Sequence, residues 1–185
     1  SMPVTTLPVR AREMLPAFQA VAEAVIHLSV VAVEKQGRPT SCRQGCAACC
    51  RQFVPISETE ARVLIDLVNA MPEPRRSDVM ERFARAAGVI DHAGLRDALL
   101  APESQPPERM KRVGLEYYAL AIPCPFLEEE SCIIHPARPI VCREYLVTSP
   151  PEHCTTLKDV EGVTIPYHAS LAACSSVPER NSALD

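Results

Sequence analysis

Along the first third of the chain, apolar residues recur at intervals of three and four. In residues 12–36, Leu15, Phe18, Val21, Ala22, Val25, Leu28 and Ala32 fall on one face, which predicts a long helix. Pro16 fits such a helix only in its first turn. Gly37 supplies a stop, and Arg38-Pro39 disfavours resumption. A second helical pattern opens at "SETEARVLIDLVNAMP". Ser57 with Glu60 three residues later is a capping-box signature, and Val63, Leu64, Leu67 and Val68 form the expected buried stripe. Pro72 and Pro74 close it. Residues 75–91 read as a third helix, 94–100 as a short fourth, and "APESQPPE" (101–108) as a stiff connector. A further helix is expected over 108–120, with Met110, Val113, Tyr117 and Leu120 on one face.

Beyond residue 121 the periodicity stops. The stretch "IPCPFLEEESCIIHPARPIVCREYLVTSPPEHC" is dense in proline and cysteine. Only Ile133-Ile134 and Val141 suggest a short strand or a core insertion, and "ARPIVCREYL" suits one or two helical turns. The expected fold class is mostly α: a helical domain with an irregular cysteine-rich lobe. Residues 3–176 are expected to form a single domain and 177–185 a flexible tail.

Composition refines this picture. Of 185 residues, 47% are hydrophobic, which promises a sizeable core. Six glycines stand against eighteen prolines, so connectors are expected to be stiff, and hairpins, which favour glycine at positive φ, are not expected. The formal net charge is −4 with no concentrated basic run, which argues against a nucleic-acid surface. The apolar run 24–33 lies between Glu23 and Glu34 and is short of the ~20 residues needed to cross a bilayer. No membrane partner and a cytoplasmic location are therefore expected. In that reducing compartment a cysteine cluster points to metal or redox chemistry rather than disulfides, and nine cysteines is an odd count for a closed disulfide framework.

Four of the nine lie within nine residues: "CRQGCAACC" holds Cys42, Cys46, Cys49 and Cys50. Cys124, Cys132 and Cys142 form a second group, and Cys154 and Cys174 trail behind. Short spacings let a loop curl so that several sulfurs approach one centre, as in zinc and iron–sulfur sites. Gly45 suits a tight turn, and Cys124-Pro125 matches the ending of one ferredoxin pattern. A thiolate-ligated centre carries net negative charge and calls for cations and N–H donors nearby. Arg43, Arg51 and Arg143 each adjoin a cysteine, and Arg138 precedes Cys142 by one helical turn. Adjacent Cys49 and Cys50 point apart in extended backbone. Only in a folded turn could both serve one centre; otherwise Cys50 serves a second metal, bridges two metals, or is a packed thiol.

These segments resemble a bacterial family of zinc- or iron-chelating cysteine-cluster proteins. The resemblance rests on "CRQGCAACC" with "VPISETEA", then "CPFLEEESCIIHPARPIVCREY", covering residues 42–60 and 122–146. It implies Cys42, Cys46, Cys49, Cys50, Cys124, Cys132 and Cys142 as ligands, with Cys154 ahead of Cys174 as the eighth. His135 stands where the family commonly has tyrosine.

The leading functional expectation is a metal-binding protein holding either Zn²⁺ or an iron–sulfur cluster, the two balancing evenly. One alternative is a cluster-dependent enzyme acting by redox or methyl transfer. Radical chemistry is disfavoured, because the chain lacks repeated βα units and an additional cysteine ligand would close the open iron position. The other alternative is an interaction module stapled by a structural metal. No phosphate loop, His-Glu-x-x-His motif or nucleophile elbow is present. Glu58, Glu60 and Glu128 to Glu130 read as a helix cap and an acidic turn rather than a general-base pair.

Overall fold

The computed structural model describes residues 11–166. Cys174 and the expected tail at 177–185 lie outside the described residues. The fold is mostly α, in the order α1 (Ala11–Glu34), α2 (Glu58–Asn69), α3 (Arg75–His92), α4 (Arg96–Leu100), α5 (Pro107–Ala119), β1 (Leu127–Glu128), β2 (Ser131–Cys132), α6 (Ile140–Glu144) and α7 (Pro151–Thr156). The elements from α1 to α5 fall where the periodicity puts them, within about two residues.

α1 ends at the predicted place, with Gly37 at φ +73°. Its buried face differs from the expected one. Leu15, Ala22, Ser29 and Val33 are buried, while Leu28 is 68% exposed and Ala32 also faces solvent. The true stripe runs at seven-residue spacing from Leu15 through Ala22 to position 29, where a serine hides the pattern. Ser29 offsets its burial by donating to the Val25 carbonyl at 2.9 Å. Pro16 lies inside the helix as described, past its first turn. The Arg12–Glu34 stretch has a mean hydropathy of 1.6, apolar and long enough to cross a membrane by composition alone. In this fold α1 packs on α6 and α2, with Leu15 and Ala22 against Ile140.

α2 carries the capping box in full. The Ser57 hydroxyl accepts from the Glu60 N–H, and the Glu60 carboxylate accepts from the Ser57 N–H at 3.2 Å. Glu60 is only 3% exposed. Its other oxygen accepts from the N–H of Ile140, the first residue of α6, at 2.8 Å. The Leu64, Leu67 and Val68 stripe packs inward, but Val63 is 39% exposed and belongs to the outer face.

The core is thinner than the composition promises. Besides separately buried side chains such as Leu95, Val113, Ile122, Val147 and Ile165, it holds two small clusters. One joins Leu15, Ala22 and Ile140; the other joins Val68, Val79, Phe126 and Ile134. Phe83 meets Phe126 edge-on at 5.3 Å. Leu100, Ile65, Leu115 and Met80 all remain more than half exposed. Alanine and cysteine inflate the hydrophobic count while contributing little volume for packing.

Glycine scarcity did not prevent a hairpin. β1 and β2 pair antiparallel, Leu127 opposite Cys132 and Glu128 opposite Ser131. The intervening Glu129 and Glu130 take φ +46° and +56°, the left-handed region that a two-residue hairpin turn requires. Arginines from three places hold this strained acidic tip: Arg51 on Glu130, and Arg75 and Arg82 on Glu128. α7 was likewise not anticipated; the proline at its first position preorganises it, and the Tyr118 hydroxyl donates to the Thr155 carbonyl near its end.

Glu60→Ala strands the Ser57 and Ile140 donors and should destabilise the protein by about 2–4 kcal/mol. Glu60→Gln, which keeps an acceptor, should lose markedly less. Urea midpoints for the two variants check this, and a loss of under about 0.5 kcal/mol in Glu60→Ala would show that the carboxylate is not a structural tie.

Candidate metal centre

The first cysteine group occupies a chain of tight turns. The N–H of Cys46 donates to the Arg43 carbonyl at 3.1 Å, Cys50 to Ala47 at 2.9 Å and Gln52 to Cys49 at 3.0 Å. Gly45 enables the first reversal at φ +86°. This curl satisfies the condition under which neighbouring Cys49 and Cys50 can act on the same side, and their thiols hydrogen-bond to each other.

The later segments close around this loop. The Cys124 N–H donates to the Cys50 carbonyl at 2.8 Å. The Ser41 N–H donates to the Val147 carbonyl at 2.9 Å, and the Val147 N–H returns to the Cys42 sulfur at 3.4 Å. The Gln52 amide donates to the Cys154 carbonyl and the Tyr145 hydroxyl, both at 3.4 Å. The strand-like run 146–148 is backed by 161–163, through the Val147–Gly162 bridge and the Val163 N–H on the Leu146 carbonyl. Cys132 arrives on β2 and Cys142 on α6.

The structure thus gathers all eight cysteines expected as ligands, from Cys42 to Cys154, in one lobe, each a free thiol. Cys42, Cys46, Cys49 and Cys154 line one hollow together with Ser41, Ala48, Tyr145, Val147 and Pro151. Cys124 and Cys132 pack against the Val68–Phe126 cluster. Among the described residues, no three His, Cys, Asp or Glu side chains converge as a closed coordination shell. Four of the cysteines line the hollow without converging as a closed shell. A cysteine has one side-chain torsion, so closing such a set requires rotation about χ1.

Burial governs the electrostatics of most of these thiols, with neighbouring thiols adding to it. Burial is the largest cause raising the pKa of Cys42, Cys124 and Cys154, and it pushes Cys142 up to about 12. Cys49 is the exception. The hydrogen bond from Cys50 holds it down at about 7, with help from the Arg138 charge; the same bond and burial drive Cys50 upward.

The four candidate arginines separate by what they touch. Arg138 is the one whose charge bears on Cys42, Cys49 and Cys142. Arg143 directs its donors to the Arg138 and Pro136 carbonyls and to Glu23, fixing α6 against α1. Arg51 is engaged by Glu130 in a two-bond fork. Arg43 is exposed. His135 lies 3.0 Å from an Arg138 nitrogen, and burial, Arg138 and Arg143 together lower its pKa. Sequence reasoning missed Arg82, which donates to the Pro125 and Leu127 carbonyls and pairs with Glu128. It also missed Tyr145 and Gln52 on the rim. None of these carries a local signal, because each contact spans more than forty residues of sequence.

Residues 41–164 match the family model CxxCxxCC, described as a "putative zinc- or iron-chelating domain". The chain belongs to this family. No curated protein and no solved structure matches it. The CxxCxxCC match runs through both cysteine groups and ends beyond Cys154, taking in α2 to α7, with α1 preceding it.

In metal-stripped protein that retains its helical circular dichroism, Arg138→Gln should move the alkylation midpoint of Cys49 to higher pH, because losing the cation disfavours the thiolate. Arg43→Gln should leave it in place. Iodoacetamide labelling followed by peptide mapping across pH reads both, and coincident midpoints in wild type and Arg138→Gln would remove Arg138 from the site's electrostatics.

Proposed function

We propose that the protein binds a metal centre through its clustered thiolates, with Cys42, Cys46, Cys49, Cys50, Cys124, Cys132, Cys142 and Cys154 as the donors. The observation that carries this reading is that three separated segments bring eight free thiols into one lobe, around the arginine whose charge bears on Cys42, Cys49 and Cys142. Soft thiolates select zinc and iron–sulfur clusters over hard cations such as magnesium or calcium, so the donor set fits both groups that the family description names. Zinc would supply structural cross-linking; a cluster would add electron transfer.

The placement of the cysteines favours a structural role for the centre, because they lie where the first loop is tied to the later segments. Metal binding to a site absent from the unfolded chain is itself folding free energy. The protein's residues would hold the thiolates, shield them behind Phe126 and Ile134, and compensate their charge through Arg138. A reducing compartment such as the cytoplasm would keep the donors competent.

Metal and acid-labile sulfide analysis on anaerobically purified protein tests the reading. Iron with sulfide and visible absorbance would identify a cluster, zinc without colour a structural ion, and metal-free folded protein would refute metal binding. Cys46→Ser should lose metal and lower Tm together, by about 10 °C; full metal content with an unchanged Tm would exclude Cys46 as a donor. Because binding displaces thiol protons, notably from half-buried Cys142, apparent zinc affinity should rise steeply from pH 6 to pH 8, by about tenfold per unit for each proton released. Competition titrations with a chromophoric chelator measure that slope, and a flat profile would contradict thiolate ligation.

A further inference from the structure

We infer that α1 is a dimerisation helix, whose outward face pairs antiparallel with the same face of a second copy of this chain. The inference goes beyond the metal-binding reading and rests on none of the cysteines. α1 precedes the family-matched residues 41–164.

α1 carries two apolar faces, and the described fold buries one. Leu15, Ala22, Ser29 and Val33 are buried, with Leu15 and Ala22 against Ile140, and Glu23 pairs with Arg143 on α6. Met14, Ala17, Val21, Ala24, Leu28 and Val31 fall on the other face. Their intervals alternate three and four, the period of a coiled-coil seam. At 3.6 residues per turn the seam lies roughly 130° around the helix from the buried stripe. Leu28 is 68% exposed and Met14 37%; Ala24 is exposed, and Ala17, Val21 and Val31 are half-buried. Only 17% of the apolar window within Arg12–Glu34 is buried. A surface helix ordinarily turns charged and polar residues outward; this one turns out a continuous apolar seam.

Side-chain size and charge select a second copy, laid head to tail, as the occupant. In an antiparallel pair centred at the level of residues 22–23, Met14 meets Val31, Ala17 meets Leu28 and Val21 meets Ala24 of the second copy. Each layer sets a larger side chain against a smaller one, which lets the two helices approach closely. The same pairing brings Arg12 and Glu13 at one end of the helix to Glu34 and Lys35 at the other. All four are exposed, opposite charges meet, and the helix dipoles oppose. A parallel pair would set each charge beside its like. A lipid surface is the poorer match. A helix lying on a membrane carries Lys and Arg along its polar side, whereas the charged residues of α1 are Arg12, Glu13, Glu23 and Glu34.

The seam also sets the strength of the contact. Its residues are far fewer than the roughly 20–30 a side of a standard stable interface. The dimer is therefore concentration-dependent, and the monomer keeps its fold, because Leu15, Ala22 and Ile140 stay packed whether or not the seam is covered.

Sedimentation velocity of the full chain, purified anaerobically and kept in reductant so that no disulfide links two copies, tests this from low micromolar to near-millimolar concentration. A reversible monomer–dimer equilibrium is expected. Leu28→Glu should weaken it by about tenfold or more, since an unpaired charge enters the seam, while the dilute monomer keeps its circular dichroism and Tm. Leu115→Glu, at a leucine 57% exposed on α5, should leave the equilibrium in place. Arg12→Glu should weaken the dimer, and adding Glu34→Arg should restore it. A chain that is monomeric at every concentration overturns the inference, including one that floats instead with phosphatidylglycerol vesicles. So does a dimer that Leu28→Glu leaves intact. A dimer lost in Leu28→Glu but not rescued by the charge exchange overturns the antiparallel arrangement.

Discussion

A single buried carboxylate links the two halves of this molecule. Glu60 closes the capping box of α2 with one oxygen and receives the first N–H of α6 with the other. α2 follows directly from the first cysteine loop, and α6 carries Cys142. The hydrogen bonds therefore fix the distance between the segment that ends one thiol group and the segment that completes the other. Ile140, fully buried, reinforces the junction by packing against Leu15 and Ala22 of α1. Without the Glu60 acceptor, the α6 N-terminus would have a buried unpaired donor and no anchor, and both sides of the thiol lobe would lose their mutual reference.

The remaining polar ties follow the same logic of joining distant segments rather than strengthening local ones. Arg82 reaches from α3 to the carbonyls flanking the Cys-Pro-Phe-Leu run. Arg51 extends from the first loop to the hairpin tip, and Arg143 from α6 to α1. A surface ion pair such as Arg51–Glu130 contributes little to stability. The value of these ties lies in orientation: charged forks set direction where two small apolar clusters cannot.

The helices were legible because they obey local rules. Ser57 and Glu60 announced α2 by chemistry confined to one turn, and Gly37 ended α1 through its own backbone freedom. The first cysteine group stood out by its spacing, while the wider set of candidate donors came from the family resemblance. What could not be read depends on sequence-distant partners. The hairpin turns on Glu129 and Glu130, residues with no intrinsic preference for positive φ, and arginines elsewhere hold their carboxylates and neighbours. Ser29 replaced an apolar residue at a buried position, shifting the apparent face of α1. Cys154 was a candidate only by order along the chain; its place beside Cys42 and Cys46 depends on α7 and the Gln52 contact. Arg138 and Arg143 looked alike in the sequence, yet one bears on the sulfurs and the other serves as a strut between helices.

The Gln52 amide and the Cys154 carbonyl it meets are 102 residues apart. At a synthesis rate of roughly 5–20 residues per second, the first four thiols exist for several seconds before the segment that covers them has been made. During that interval they are soft, clustered and unshielded, open to any oxidant or copper ion in the surrounding fluid. The order of translation thus imposes a demand on the cell rather than on the fold: the nascent loop must be kept reduced and free of the wrong metal until its C-terminal half arrives.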